Sequence, residues 1–408
     1  MSIGGQGMRP CAGIPRLSFC IVCWVCWPVF CLAALPAVAQ DDMAEIRIGY
    51  IRQLADRPPN LSNLIVPPDD EGFAGARLSV KDNNTTGRFL KQSFVLEERD
   101  VPTSGDALPD FRAMLDSGIS FFVLDVSADV LLAMADAAGD RPAVLLNINA
   151  TDDRLRGEDC RRNVMHIVPS RGMYTDALAQ FLVWKKWRDW LLVIGPDERD
   201  GLYAEAVRRS ARKFGARIVE ERVWNFGPDA RRTAQAEVPA FTQGVDYDML
   251  IVADEVGVFG EYLMYRTWDP RPVAGTQGLS PSTWHLTHEQ WGSAQLQSRF
   301  VKTNGRRMTA LDYQAWAAIR AVGEAATRTR SAEPGEMEAY LKSPQFELAG
   351  FKGLPLTFRS WNWQLRQPIL LVQPSALVSV SPQDGFLHQR SVLDTMGLDE
   401  GEAGCAFQ

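Results

Sequence analysis

The chain has 408 residues, with 43 basic and 50 acidic side chains and a formal net charge of -7. That acidic balance argues against nucleic-acid binding, which rests on neutralising phosphates, so no nucleic acid is expected as a partner. The length exceeds one ordinary hydrophobic core, so two domains are expected.

The N-terminus carries Arg9 and Arg16, then an apolar stretch over residues 17–35, then Pro36-Ala37-Val38-Ala39-Gln40, with no acidic side chain before residue 40. A basic end, an apolar run and a small-residue site predict a cleavable signal peptide over residues 1–39. The apolar run enters the bilayer while the basic end stays in the cytoplasm. An uncleaved anchor is the alternative. A lipoprotein reading is weaker, because Cys31 lies inside the apolar run. Removal would leave a charge of about -9 and take Cys11, Cys20, Cys23, Cys26 and Cys31 with it. Cys160 and Cys405 remain, an even pair that in an oxidising compartment points to a disulfide, with two free thiols as the alternative. No later apolar run reaches the roughly 18 residues of a membrane span, so a soluble periplasmic chain is expected.

A strand over 46–51 comes first, then a Pro/Asn-rich loop, then a helix opened by Asp69-Asp70-Glu71, acidic residues that suit its N-terminal dipole. Asn83-Asn84-Thr85-Thr86-Gly87-Arg88 reads as a turn with Gly87 at positive φ. Strands over 93–98, 119–126 and 143–149 alternate with helices over 106–117 and 127–138, the latter capped by Ser127. Near-continuous apolar strands between helices predict βαβ units and a parallel sheet covered on both faces. A second series follows: strands over 164–168, 190–195, 217–224, 249–253 and 272–275, with helices over 173–187, 201–214, 231–242 and 258–266. Gly215 ends the second of those helices. The tail breaks the alternation, with a long helix over 311–327, a turn around 351–358 and a strand over 367–372. No internal repeat of 20–50 residues is present.

This order of elements resembles the type I periplasmic solute-binding proteins of ABC transporters, the branched-chain amino-acid-binding class. The tail matches loosely, with Phe351-Lys352-Gly353 and Thr357-Phe358 present and Pro355 where a second glycine stands in that class. Four segments narrow the resemblance: Ile48-Gly49-Tyr50, Asp69-Asp70-Glu71-Gly72-Phe73-Ala74-Gly75-Ala76, Asp82-Asn83-Asn84-Thr85-Thr86-Gly87-Arg88-Phe89 and Leu155-Arg156-Gly157-Glu158-Asp159-Cys160. They look like a branch associated with pyrroloquinoline-quinone (PQQ)-dependent alcohol dehydrogenase systems, some of whose members are linked to lanthanide handling. The resemblance implies an α/β fold of two doubly wound parallel-sheet lobes with a crossover hinge. The expected lobes are 40–152 plus about 286–335, and 153–285 plus about 336–408. It implies a small solute or metal ion as ligand and an ABC permease and ATPase as partners. The rival class is a periplasmic accessory or sensor docked to a PQQ-dependent dehydrogenase, which exposed aromatics near Trp361 would support.

Open α/β sheets bind ligands beyond the carboxyl ends of their strands. The residues there are Asp69 and Asp70 after the first strand, Asp125 and Ser127, and Asp152 and Asp153. In the second series they are Asp254 and Glu255, with Tyr174 at the start of its first helix. Hard cations need several carboxylate oxygens, so Asp69, Asp70, Asp152, Asp153, Asp254 and Glu255 are candidate metal ligands. The bland reading of each is a helix cap or a βα turn. An amino-acid ligand would instead use Ser127 for its carboxylate and Asp254 or Glu255 for its ammonium. The run Asn147–Asp153 replaces the small hydroxyl-rich segment of amino-acid-binding relatives. Trp184, Trp187 and Trp190 read as core. Trp284, Trp361 and Trp363 are candidates for a cleft wall or docking surface. His285-Leu286-Thr287-His288 lacks the helical context of a zinc site, and no P-loop, G-x-S-x-G or dinucleotide fingerprint is present, so no enzyme and no certain cofactor is expected.

Overall fold

The computed structural model describes residues 43–54, 67–225 and 230–407. The expected signal peptide lies outside the described residues. The described chain forms one compact unit holding two parallel sheets.

The first sheet is built from β1 (Ala44–Gln53), β2 (Gln92–Val101), β3 (Phe121–Asp125), β4 (Val144–Asn147) and β5 (Val164–His166). Its order is β2-β1-β3-β4-β5 and every pairing is parallel. The helices α1 (Phe73–Gly87), α2 (Leu108–Asp116) and α3 (Ala128–Ala138) connect its strands, and α4 (Arg171–Trp184) leads away after β5. The second sheet has β6 (Asp189–Ile194), β7 (Arg217–Val223), β8 (Met249–Ala253) and β9 (Val273–Gly275), in the order β7-β6-β8-β9, again all parallel. Its helices are α5 (Glu198–Phe214) and α6 (Ala230–Thr242). After β10 (Ser280–Ser282) come α7 (Ser293–Asn304), α8 (Ala310–Thr329) and α9 (Pro334–Leu341). Two small antiparallel sheets complete the chain. One is β11 (Leu348–Ala349), β12 (Pro355–Phe358) and β13 (Leu365–Arg366); the other sets β14 (Ile369–Gln373) between β10 and β15 (Ala376–Ser381).

All five residues of β3 and of β8 are buried, as a sheet with helices on both faces requires. Their side chains alternate between faces: Phe121 and Val123 pack in one core with α1 and α8, while Phe122 and Leu124 pack in another with α2 and α3. The second sheet is sandwiched in the same way. Gly75 lets α1 and α8 touch, because a Cβ there would lie 1.9 Å from the Asp312 carbonyl oxygen. Ser127 caps α3 by accepting from the Val130 N–H, and Gly215 ends α5 at φ 76°, both as expected.

Several expectations change. Asn83–Gly87 is the helix C-terminal turn of α1, as expected, but Gly87 does not take a positive φ. Asn83 Nδ2 donates to the Ile319 carbonyl at 2.9 Å, and Gly87 is helical, with its missing Cβ making room for the Gln92 carbonyl. The predicted helix over 258–266 shrinks to a turn at Gly260–Tyr262. The Asp254 carboxylate takes the N–H groups of residues 257–260, so that segment wraps around a side chain instead of bonding to its own carbonyls. The strand near 164–168 pairs with β4 and so belongs to the first sheet.

The chain passes between the two sets of cores three times: between Ile167 and Met173, between Leu279 and Trp284, and between Leu365 and Ile369. The first and third passages lie at residues 167–173 and 365–369. They are cross-bonded by buried polar groups. Gln364 Nε2 donates to the carbonyls of His166 and Val168, Gln367 Nε2 to that of Ile167 at 2.7 Å, and Arg156 reaches Gln364 Oε1 at 2.9 Å. Buried Lys352 donates to Gln367 Oε1 and the Pro368 carbonyl. Burial pushes its basicity well down.

His166 stands at the same passage. Its Nδ1 accepts from Asn147 at 3.0 Å and its Nε2 donates to the Leu155 carbonyl at 3.1 Å, a pairing that holds the neutral ring. Burial, with Arg156 nearby, lowers its pKa well below the ordinary 6.5. The folded value is depressed for a base, so the unfolded chain gains the proton first. Stability is full above pH 6.5 and declines as pH falls below it. Urea titrations at pH 7.5 and 5.5 are expected to show a drop that His166→Gln reduces by about 1 kcal/mol; an unchanged drop would remove His166 as its source.

Candidate functional site

In each large sheet the chain leaves a central strand, adds one neighbour on one side and then moves to the other side. These reversals fall between β1 and β3 and between β6 and β8, where such sheets open a crevice at their carboxyl ends. In the first sheet Arg52 and Asp125 are register partners at that point. A cavity of about 540 Å³ opens there, lined by Arg52, Asp69, Glu71, Asp100, Asp125 and Asn149 among others.

Four carboxylates and one guanidinium therefore line this crevice. Arg52 is spent internally. It makes a two-point pair with Asp100 at 2.9 and 2.5 Å, donates to the Asp69 carbonyl at 2.9 Å and lies over the Phe73 ring at 4.5 Å. The Asp100 contact raises its already high pKa. Asp125 is only 4% exposed. Beside it the Tyr50 hydroxyl is buried without a hydrogen-bond partner among the described residues, its pKa pushed well up by burial and then by the Asp125 charge.

The second sheet meets this edge through Arg171, the first residue of α4. Its Nη1 pairs with Asp152 at 3.0 Å, and its Nη2 pairs with Glu255 at 2.8 Å. Asp152 follows β4 and Glu255 follows β8, so one buried guanidinium touches the carboxyl edges of both sheets. Burial raises the Glu255 pKa, against the pull of Arg171. Tyr203 adds a second buried hydroxyl without a partner among the described residues, its pKa raised by burial and by Glu255. The Tyr174 pKa is likewise raised by burial, and Gln314 of α8 reaches its hydroxyl at 3.5 Å.

The expected site residues divide into those that converge and those with internal duties. Asp69 and Asp125 line the first crevice. Asp152, Glu255 and Tyr174 lie around the start of α4. Asp70 is paired with Arg306 at 2.8 Å, and Ser127 is the α3 cap. Asp153 takes the Gly172 N–H at 3.1 Å. Asp254, 2% exposed, accepts four backbone N–H groups, which satisfies its oxygens. Among the described residues no group of three or more His, Cys, Asp and Glu is placed to hold a metal ion.

The aromatic expectations are corrected. Trp284 is buried and stacked on Tyr313 at 4.9 Å. Trp361 lies under Arg359 and Arg366, and Trp363 packs against Phe407 and Lys342. Neither forms an open docking surface. Trp184, expected in the core, is 54% exposed. Sequence reasoning missed Arg171, Tyr50 and Tyr203. Arg171 had a signal: a cation at a helix N-terminus opposes the macrodipole and needs a specific anionic partner.

The profile of the periplasmic binding protein family matches residues 70–376. The chain belongs to that family. It is a family of binding proteins of the periplasm, and no helix among the described residues is long and apolar enough to cross a membrane. A search of curated proteins finds no match. Solved structures show the same fold. One is a branched chain amino acid ABC transporter periplasmic ligand-binding protein from Burkholderia xenovorans LB400, at 16% identity and TM-score 0.68, covering 89% of this chain and 99% of that one. Another is an ABC transporter substrate-binding protein from Desulfitobacterium hafniense in complex with Leu, at 16% identity and TM-score 0.61, covering 82% and 99%. A third is a solute binding protein of an ABC transporter from Rhodopseudomonas palustris BisB5 in complex with 3,4-dihydroxy benzoic acid, at 13% identity and TM-score 0.57, covering 81% and 93%. As expected, the periplasmic binding protein adopts the type I two-lobed α/β architecture.

Proposed function

We propose that this protein is the substrate-binding component of an ABC transport system and closes on a small solute bearing a positive charge. The carrying observation is the facing of the two sheet edges across Arg171, beside a crevice whose single cation is already paired. The field there is negative, because four carboxylates, Asp69, Glu71, Asp100 and Asp125, line it with one guanidinium. It favours an ammonium group or a cation over a carboxylate. Tyr50 and Tyr203 supply hydroxyls for a polar ligand. A solute that touches both edges stabilises the closed arrangement, and a membrane permease and ATPase read that state.

Calorimetric titration with leucine, putrescine, a trivalent lanthanide ion and benzoate tests this. A positively charged probe is expected to bind saturably, and Asp125→Asn to weaken it about tenfold, or 1.4 kcal/mol. Binding by the lanthanide alone would make the solute a metal ion. Binding of benzoate undiminished by Asp125→Asn would overturn the reading.

A finer proposal places the protein in a PQQ-dependent alcohol dehydrogenase system. Its support is that two of the segments carrying that resemblance meet at the crevice: a Cβ on Gly72 would come within 2.2 Å of the Tyr50 hydroxyl. Pull-down from periplasm and membranes separates a transporter receptor from an accessory of the dehydrogenase.

A further inference from the structure

The second sheet has another opening at its opposite edge. A cavity of about 770 Å³ lies against Met249 and Val273, the first residues of β8 and β9. Asp254 and Glu255 follow the far end of β8, so this cavity is distinct from the crevice between the sheet edges. Its walls come from the end of α4 (Phe181, Lys185, Trp187), the 264–273 loop, Gly278 and Leu279, and the β14–β15 hairpin. Their side chains are mainly aromatic, Met, Pro and aliphatic. The volume falls in the range of small-molecule sites, which are concave and mostly apolar with a few polar anchors.

Two features point to a ligand. Tyr265 is 98% exposed and Trp268 60% exposed, large apolar rings left at the mouth of an apolar hollow. Tyr265 also holds φ 64°, a conformation that disfavours an L side chain. The charge is also one-sided. The lining contains Lys185 and Arg271 and no carboxylate, although the chain is acidic overall. Arg271 has Asp246 at 3.3 Å. Lys185 sits over the rings of Trp184 and Phe181, at 4.4 and 5.6 Å.

We infer that this cavity is a second binding site, for a flat apolar small molecule carrying an anionic group. The rings would stack on its plane, and Lys185 would meet its charge. The ligand differs in charge from the solute proposed for the crevice, so the two sites are separable by experiment.

The test uses 2-naphthoate and its neutral counterpart 2-naphthamide, followed by tryptophan fluorescence and calorimetry on the full chain. Naphthoate is expected to bind saturably with one molecule per chain. Lys185→Gln should weaken naphthoate at least fivefold and leave the amide unchanged. Tyr265→Ala and Trp268→Ala, at exposed positions that should not disturb folding, should weaken both probes. Absence of saturable naphthoate binding overturns the inference, as does equal binding by wild type and all three variants. Naphthoate binding that changes in Asp125→Asn but not in Lys185→Gln would place the probe in the crevice and also overturn it. None of these outcomes depends on whether a cation binds the crevice.

Discussion

Asp394→Leu is expected to destabilise the fold by about 3–5 kcal/mol, because it leaves a buried guanidinium without its counter-charge. Asp394 is 3% exposed and Arg359 is 1% exposed. The carboxylate accepts from Arg359 Nε at 2.9 Å and from Arg366 Nε at 2.7 Å. Arg359 also donates to the carbonyls of Leu393, Met396 and Leu398, which fastens the C-terminal segment to the β12–β13 turn. Burial lowers the Arg359 pKa, and Asp394 opposes that. Removing Asp394 therefore leaves a charge in a dry place with carbonyl partners only. Urea denaturation should show the loss, and the double variant Arg359→Met/Asp394→Leu should recover part of it, since only the more exposed Arg366 is then left without its partner. A single-variant loss below about 1 kcal/mol would show that the site admits water.

Cutting the Cys160–Cys405 bond is expected to cost about 2–5 kcal/mol, chiefly through the unfolded chain. The two cysteines are 245 residues apart. Closing so long a loop removes much of the freedom of the denatured ensemble. Cys160 is buried and the Phe407 N–H points at its sulfur. Cys405→Ser should lower the thermal midpoint, and reductant should lower it in the wild type but not in the variant. Insensitivity of both proteins to reductant would mean that the bond is not formed in solution.

Periodicity and burial made the two parallel sheets legible, because Phe121–Asp125 and Met249–Ala253 have no polar face to expose. The cysteine pair was equally plain once compartment and count were considered. The small antiparallel strands were not. Ser280–Ser282 has no alternation to read, and its pairing with Leu370–Val372 comes from distant chain. At the site, strand ends pointed to Asp125, Asp152 and Glu255 but could not separate them from Asp254. All four occur in the same local setting. What distinguishes Asp254 is the later wrapping of residues 257–260 around its oxygens. Tyr50 and Tyr203 carry no local signal of a site; only the three-dimensional arrangement shows that their hydroxyls lack partners among the described residues.

The three passages between the sheets bear on how such a protein reaches the periplasm. The core around α1 and α8 draws on residues from Ile46 to Leu365, and the α4 core on residues from Met173 to Met396. Neither is complete before residue 365 or later has been reached. A polypeptide threaded N-terminus first through a translocation pore would leave both of these cores unfinished until most of its length had emerged.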